Sequence, residues 1–199
     1  YSFADHARYL DAFLDTLSTP PGTRDHDRIA AWFDATEKYP KQLHEMTRSE
    51  YLAYKPQDYL PPREGAGPFA AAVRRAHDAG LHAIAYMNQR LWCTGTPSWT
   101  ARGAERWAVH ERDGRVRTEV YNVFDPQPCA TMDVATPFWR DTYAASADTV
   151  IHQYGLDGIY MDQAVLSLVD WSPDHGHPVG GGHYWMDGFR ALAADLRRR

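Results

Sequence analysis

The sequence predicts an α/β fold in which helices alternate with short apolar strands that pack as a parallel sheet. Two stretches, "AGLHAIAYMN" and "YGLDGIYMD", carry most of that prediction. In both a helix ends at glycine, a short apolar strand follows, and a methionine precedes a polar residue where the strand stops. Composition agrees, since a chain of 199 residues that is 44% hydrophobic and 13% aromatic can bury a substantial core.

Phe3, Tyr9, Leu10, Phe13, Leu14 and Leu17 recur at helical spacing and predict an amphipathic helix over residues 3–18, which Pro20 and Pro21 terminate. Residues 27–60, including "DRIAAWFDATEKYP" and the proline-rich "TRSEYLAYKPQDYLPP", fit neither period. The pattern then sharpens. "GPFAAAVRRAHDAG" reads as a helix with Pro68 in its first turn and Gly80 at a left-handed terminus, and "LHAIAYMN" as a strand ending on Asn88.

"RWAVHERDGRVRTEVYN" predicts a β-hairpin turned at Asp113 and Gly114, and "CATMDVA" another short strand. In "TPFWRDTYAASADTVIHQYG", Thr136 can cap a helix, Pro137 takes its first position and Gly155 closes it. Trp139, Tyr143, Ala147, Val150, Ile151 and Tyr154 form its apolar stripe. "LDGIYMD" repeats the strand, and "YWMDGFRALAADLRRR" is a final helix with Met186, Phe189, Leu192, Ala193 and Leu196 on one side.

This gives three or four βα units, about half of an eight-unit barrel whose usual length is about 250 residues. The expectation is a single domain over residues 1–199, best supported over 60–199. It would be the N-terminal part of a TIM-type (β/α)8 barrel with a β-hairpin insertion, completed by chain beyond residue 199. A doubly wound open sheet is the alternative, but no Gly-rich phosphate fingerprint follows any strand.

A net charge of -5 and a pI near 6.0 argue against nucleic acid or an anionic membrane as partner, because phosphate binding needs a basic surface. Arg197, Arg198 and Arg199 are too few to change that. No apolar run approaches the roughly 20 residues that cross a bilayer, so the chain is expected to be soluble, with its compartment left open. Cys93 and Cys129 are too few for a disulfide scaffold and match no zinc motif; whether they pair is open.

In α/β folds the functional side chains collect at the carboxyl ends of the strands, where loops vary while strands stay fixed. Asn88 and Asp162 both stand there. A purely structural Asp162 would cap a helix or bind backbone amides instead.

The segments "AYMNQRLW", "ATPFWRDT", "YGLDGIYMDQ" and "DHGHPVGGGHYWMDGFR" resemble, in order and spacing, an uncharacterised bacterial family of glycoside-hydrolase-like (β/α)8 barrels. More distantly they are similar to the α-galactosidase clan and the endo-α-N-acetylgalactosaminidases. The resemblance implies a retaining glycosidase with Asp162, at the end of strand 4, as nucleophile. Such hydrolysis needs a carboxylate and an acid on opposite faces of the sugar, about 5 Å apart. In relatives of this kind the acid/base comes from the second half of the barrel, so these residues alone are expected to be inactive.

Sugar contacts are then assigned to Asn88, to Arg90 as a charged donor and to Trp92 as an aromatic face. Trp92 packing the barrel rim is the competing reading. Gln163 points away from Asp162 if strand geometry continues, as a substrate contact or a structural hydrogen-bonder. In "WSPDHGHPVGGGHYW", Asp174, His175, His177 and His183 are the raw material of a metal site, but their spacing matches no common zinc motif. The reading is therefore no metal and no cofactor, with His175, His177 and His183 donating to sugar hydroxyls. Asp133 either lies near the barrel mouth or starts the turn into Thr136, while Asp125, flanked by prolines, is a turn residue.

Two rival functions make different demands. A degenerate, non-catalytic carbohydrate-binding barrel would keep its ligand when Asp162 is replaced by asparagine. A metal-dependent hydrolase built on the histidine loop would lose activity to a chelator.

Overall fold

The computed structural model describes residue 60 and residues 65–120, 128–164, 166, 168–181 and 183–199. The helix expected over 3–18, the segment 27–59 and the turn at Asp125 lie outside them. The described residues fall in two compact units, one holding residues 60–85 and 149–159, the other residues 86–148 and 160–199.

In the first unit, helix α1 (Ala66–Asp78) buries Phe69, Ala72, Val73 and Ala76, spaced three, one and three apart as a helix face requires. Its end explains the repeated glycine. Gly80 turns left-handed with φ 76°, and the Leu81 N–H reaches back to the Ala76 carbonyl. Helix α3 (Pro137–His152) also stops at a left-handed glycine, Gly155 at φ 82°, whose N–H donates to the Ile151 carbonyl while the Leu156 N–H donates to that of Val150. The two copies seen in the sequence are thus two helix stops at a left-handed glycine, each feeding a strand.

Those strands, β1 (Ile84–Tyr86) and β5 (Gly158–Tyr160), lie side by side. The Asp157 N–H donates to the Ala83 carbonyl and the Met87 N–H to the Tyr160 carbonyl, so the residue numbers rise together along a parallel pair. Both strands leave the first unit at their last residue.

The second unit holds a three-stranded antiparallel sheet in the order β2 (Leu91–Cys93), β4 (Pro128–Thr131), β3 (Thr118–Val120). The hairpin expected at Asp113 and Gly114 is present: Gly114 has φ 84°, and the Glu111 N–H bonds to the Arg115 carbonyl. The strand expected in "CATMDVA" exists as well, but its partners run antiparallel to it. Cys93 and Cys129 face each other across β2 and β4 and form a disulfide.

An aromatic cluster fills this unit. Trp92 stacks on Phe138, lies against Trp139 and against Trp99 of helix α2 (Pro97–Ala101), and spends its indole N–H on Thr96 and Ser98. Helix α4 (Tyr184–Arg198) buries Tyr184, Trp185, Gly188 and Leu192, while Met186, expected on the buried side, is 42% exposed. Gly188 is where α4 meets backbone. A Cβ there would lie 2.5 Å from the Ala135 nitrogen. Among the described residues no helix is long and apolar enough to cross a membrane.

Candidate functional site

Two groups of polar residues emerge, both in the second unit. The first stands where β1 and β5 stop. Asn88 and Asp162 lie one and two residues beyond the rung formed by Met87 and Tyr160. Asp162 is partly exposed, and its Oδ1 accepts the Gln163 N–H at 2.7 Å. Gln163 is the one non-glycine among the described residues with positive φ, at 56°. An L residue held in the left-handed region is strained, and such strain concentrates at working sites.

That turn also corrects the expected orientation of Gln163. The strand ends at Tyr160, so strand alternation does not reach it, and its side-chain oxygen accepts a hydrogen bond from Arg90. Arg90, expected as a free donor for sugar, is 2% exposed and forks onto Glu119 through both terminal nitrogens, at 3.1 Å for one of them. Glu119 escaped the sequence reading, because only strand pairing brings it near. Asn88 is buried too, its Oδ1 accepting the Arg90 N–H and its Nδ2 donating to the Tyr86 hydroxyl, each at 3.0 Å. Trp92 follows the packing reading.

The second group gathers Asp133, His175 and His177 with Asp170, which the sequence reading passed over. His175 Nδ1 lies 2.7 Å from Asp170 Oδ2 and 3.0 Å from Asp133 Oδ2. His177 Nε2 lies 2.7 Å from Asp133 Oδ2 and 3.4 Å from Asp170 Oδ2. The side chains of His175 and both aspartates are 0% exposed, so here they turn their polar atoms to one another rather than to a sugar. Asp174 and His183 are exposed and stand outside the group.

Local geometry fixes which atoms face inward. His175 Nε2 lies 2.7 Å from the Arg106 carbonyl and His177 Nδ1 3.1 Å from the Pro178 carbonyl. A carbonyl only accepts, so both of these nitrogens carry protons. On the carboxylates, Asp133 Oδ1 accepts the Ala135 N–H, and Asp170 Oδ1 accepts those of His110 and Ser172.

Electrostatics follow from this crowding. Burial disfavours a charged His175, but hydrogen bonds to Asp133 and Asp170 prevail and lift its pKa to about 10. For Asp170 burial works against the anion, yet His175 and the two backbone N–H groups hold its pKa below the usual range. Burial and the fields of Asp133 and Asp170 push the Tyr184 hydroxyl far up. Its ring stacks on His177 with centroids 4.0 Å apart, and its hydroxyl has no hydrogen-bond partner among the described residues.

Residues 32–199 match the family model described as "Domain of unknown function (DUF6259)". The chain belongs to that family. Two curated relatives of this DUF6259 chain carry hydrolase names. It is 29% identical over 149 residues to "Putative glycoside hydrolase 22789" of Monosiga brevicollis, covering 71% of the chain and 12% of the relative. It is 27% identical over 144 residues to a "Putative glycoside hydrolase" of Bacteroides thetaiotaomicron, covering 70% and 20%. The chain therefore spans a fifth or less of these relatives.

Among solved structures, the α-N-acetylgalactosaminidase of Bifidobacterium bifidum in complex with Gal-NHAc-DNJ is similar in fold. Its TM-score is 0.51 at 18% identity, over 70% of this chain and 21% of that one. The resemblance to glycoside hydrolases read from the sequence segments is thus borne out at the level of family.

Proposed function

We propose that this DUF6259 chain is part of the (β/α)8 barrel of a retaining glycoside hydrolase acting on an oligosaccharide or glycan, with Asp162 as the nucleophile. The observation that carries the reading is the placement of Asp162. It is a partly exposed carboxylate just past the carboxyl end of a parallel strand, beside a residue in strained backbone. Strand ends of this kind are where α/β barrels assemble their chemistry.

The Gln163 N–H on Oδ1 fixes the carboxylate's orientation. The carboxylate attacks the anomeric carbon while an acid protonates the departing glycosidic oxygen. Water then attacks the glycosyl ester, the same acid having become the base. In this mechanism the acid/base is a second carboxyl group about 5 Å from the nucleophile, across the sugar ring.

Arg90 acts through Gln163 rather than on the sugar, holding the turn behind the nucleophile. The aromatic face assigned from sequence to Trp92 passes to Tyr160, which is 56% exposed and two residues before Asp162. Its ring lies 5.7 Å from that of Tyr86, which in turn holds Asn88.

The test uses a polypeptide carrying the complete barrel, treated with a panel of activated fluorosugars and read by intact mass and peptide mapping. A glycosyl adduct should appear on Asp162, and Asp162→Asn should lower turnover on the order of 10⁴-fold. A label on another carboxylate, or turnover that survives Asp162→Asn, would sink the reading. Binding of glycans with no labelling and no turnover would leave the carbohydrate-binding module in its place.

A further inference from the structure

The Asp133, Asp170, His175 and His177 cluster has no part in that chemistry, and its construction asks for an explanation. Two carboxylates are buried side by side, and each has one oxygen held by backbone N–H groups. Two imidazoles each have one nitrogen committed to a backbone carbonyl. What remains is four inward atoms, Asp133 Oδ2, Asp170 Oδ2, His175 Nδ1 and His177 Nε2, all within 4.8 Å of one another.

Ligands of a metal are held in this manner from outside. A metal-binding imidazole donates its other N–H to a carbonyl or carboxylate, and a metal-binding carboxylate has its second oxygen hydrogen-bonded. We propose that these four residues form a closed, structural site for Zn²⁺. Two imidazoles and two carboxylates suit zinc, which takes nitrogen and oxygen at about 2.0–2.2 Å in a tetrahedron whose edge is about 3.3 Å. The nitrogen–oxygen separations of 2.7, 2.7, 3.0 and 3.4 Å lie on either side of that edge and all four atoms are within 4.8 Å of one another, so side-chain rotations bring them round an ion.

Charge balances, because two carboxylates and two neutral imidazoles carry the -2 that a divalent ion cancels. A calcium or magnesium site would be built of oxygens alone. The Tyr184 hydroxyl, 5% exposed by residue and without a partner among the described residues, stands in the field of both aspartates. With four protein ligands and no exposure at three of them, the site resembles zinc sites that hold structure rather than those that keep a position open for water. It clasps the loop over residues 170–177 to the end of β4, and a chelator should therefore lower stability before it touches chemistry.

The experiment uses the full-length polypeptide carrying this chain, dialysed with and without added Zn²⁺ and assayed for bound metal by mass spectrometry. About one Zn²⁺ per chain should remain, with a melting temperature that falls on removal and returns on re-addition. Asp170→Asn and His177→Ala should each lower the zinc content at least tenfold. Asp174→Asn, in the same loop but exposed, and Asp162→Asn should keep it. Should the ligand variants fail to fold, the wild type titrated with Co²⁺ decides, since a tetrahedral nitrogen and oxygen site gives intense visible absorption. A folded wild type that holds no zinc and gives no such Co²⁺ spectrum overturns the proposal, leaving four groups bridged by protons.

Discussion

At the residue scale, most of what the site needs depends on a partner remote in sequence. Asp170 shows why it escaped notice. In "SLVDWSP" it follows apolar residues and matches no motif, and only folding sets it against the His110 N–H and His175. Arg90 and Trp92 looked available in the sequence because their consumers, Glu119 and the ring of Phe138, lie 29 and 46 positions away. The position of Asp162 just past β5 was legible because a strand's own polar terminus announces itself.

Asp157 offers a test within the first unit. It accepts the Ala83 N–H at 2.7 Å and lies beside His77 and His82, and these contacts, the backbone one first, lower its pKa to about 2. A depressed carboxylate stabilises the fold above its unfolded pKa of about 4 and loses that contribution as pH falls toward 2. Urea unfolding of Asp157→Asn should therefore show a flatter stability profile between about pH 4 and 2 than the wild type, and lower stability at neutral pH. Parallel profiles would mean that these contacts persist in the unfolded chain.

At the element scale, helix stops were the most readable feature, since glycine in the left-handed region and the residue after it form a local motif that needs nothing from the rest of the chain. Strand direction was not. The apolar run of "CATMDVA" is the same whether its neighbours run with it or against it, and the structure gives β4 two antiparallel partners. The packing of α4 was half legible: Leu192 fell on the expected side, but Gly188 was not singled out.

Gly188 is where that helix touches the backbone of Val134 and Ala135, with 2.5–2.7 Å left for a methyl group. Gly188→Ala must push α4 away from the loop that also carries Asp133. Such overpacking costs about 1–3 kcal/mol, against a gain of about 1 kcal/mol from better helix propensity. Net destabilisation in a denaturant melt is the expected outcome, and a variant as stable as the wild type would show that the helix slides freely.

At the scale of the whole chain, the sequence made the α/β class and the repeated βα grammar visible, because both rest on periodicity and punctuation. It left the antiparallel sheet and the Cys93–Cys129 bond open, because both depend on which strands meet. The bond lies across directly opposed residues of β2 and β4 and closes a loop of 36 residues in sequence separation. That loop carries the hairpin, Glu119 and the Arg106 carbonyl that holds His175, so chain entropy there bears on both candidate sites. Cross-linking it restricts the unfolded chain far more than the folded one. In the chain-entropy account this is worth about 2–4 kcal/mol.

Replacing both cysteines by serine should lower the denaturation midpoint accordingly, and wild type treated with a reductant should match the double variant. If the sheet owes its integrity to β-pairing and the aromatic cluster rather than to the sulfur bond, the reduced protein will still protect the amides of β2 and β4 from hydrogen exchange. Loss of that protection together with the midpoint would instead make the disulfide a condition of the sheet's existence.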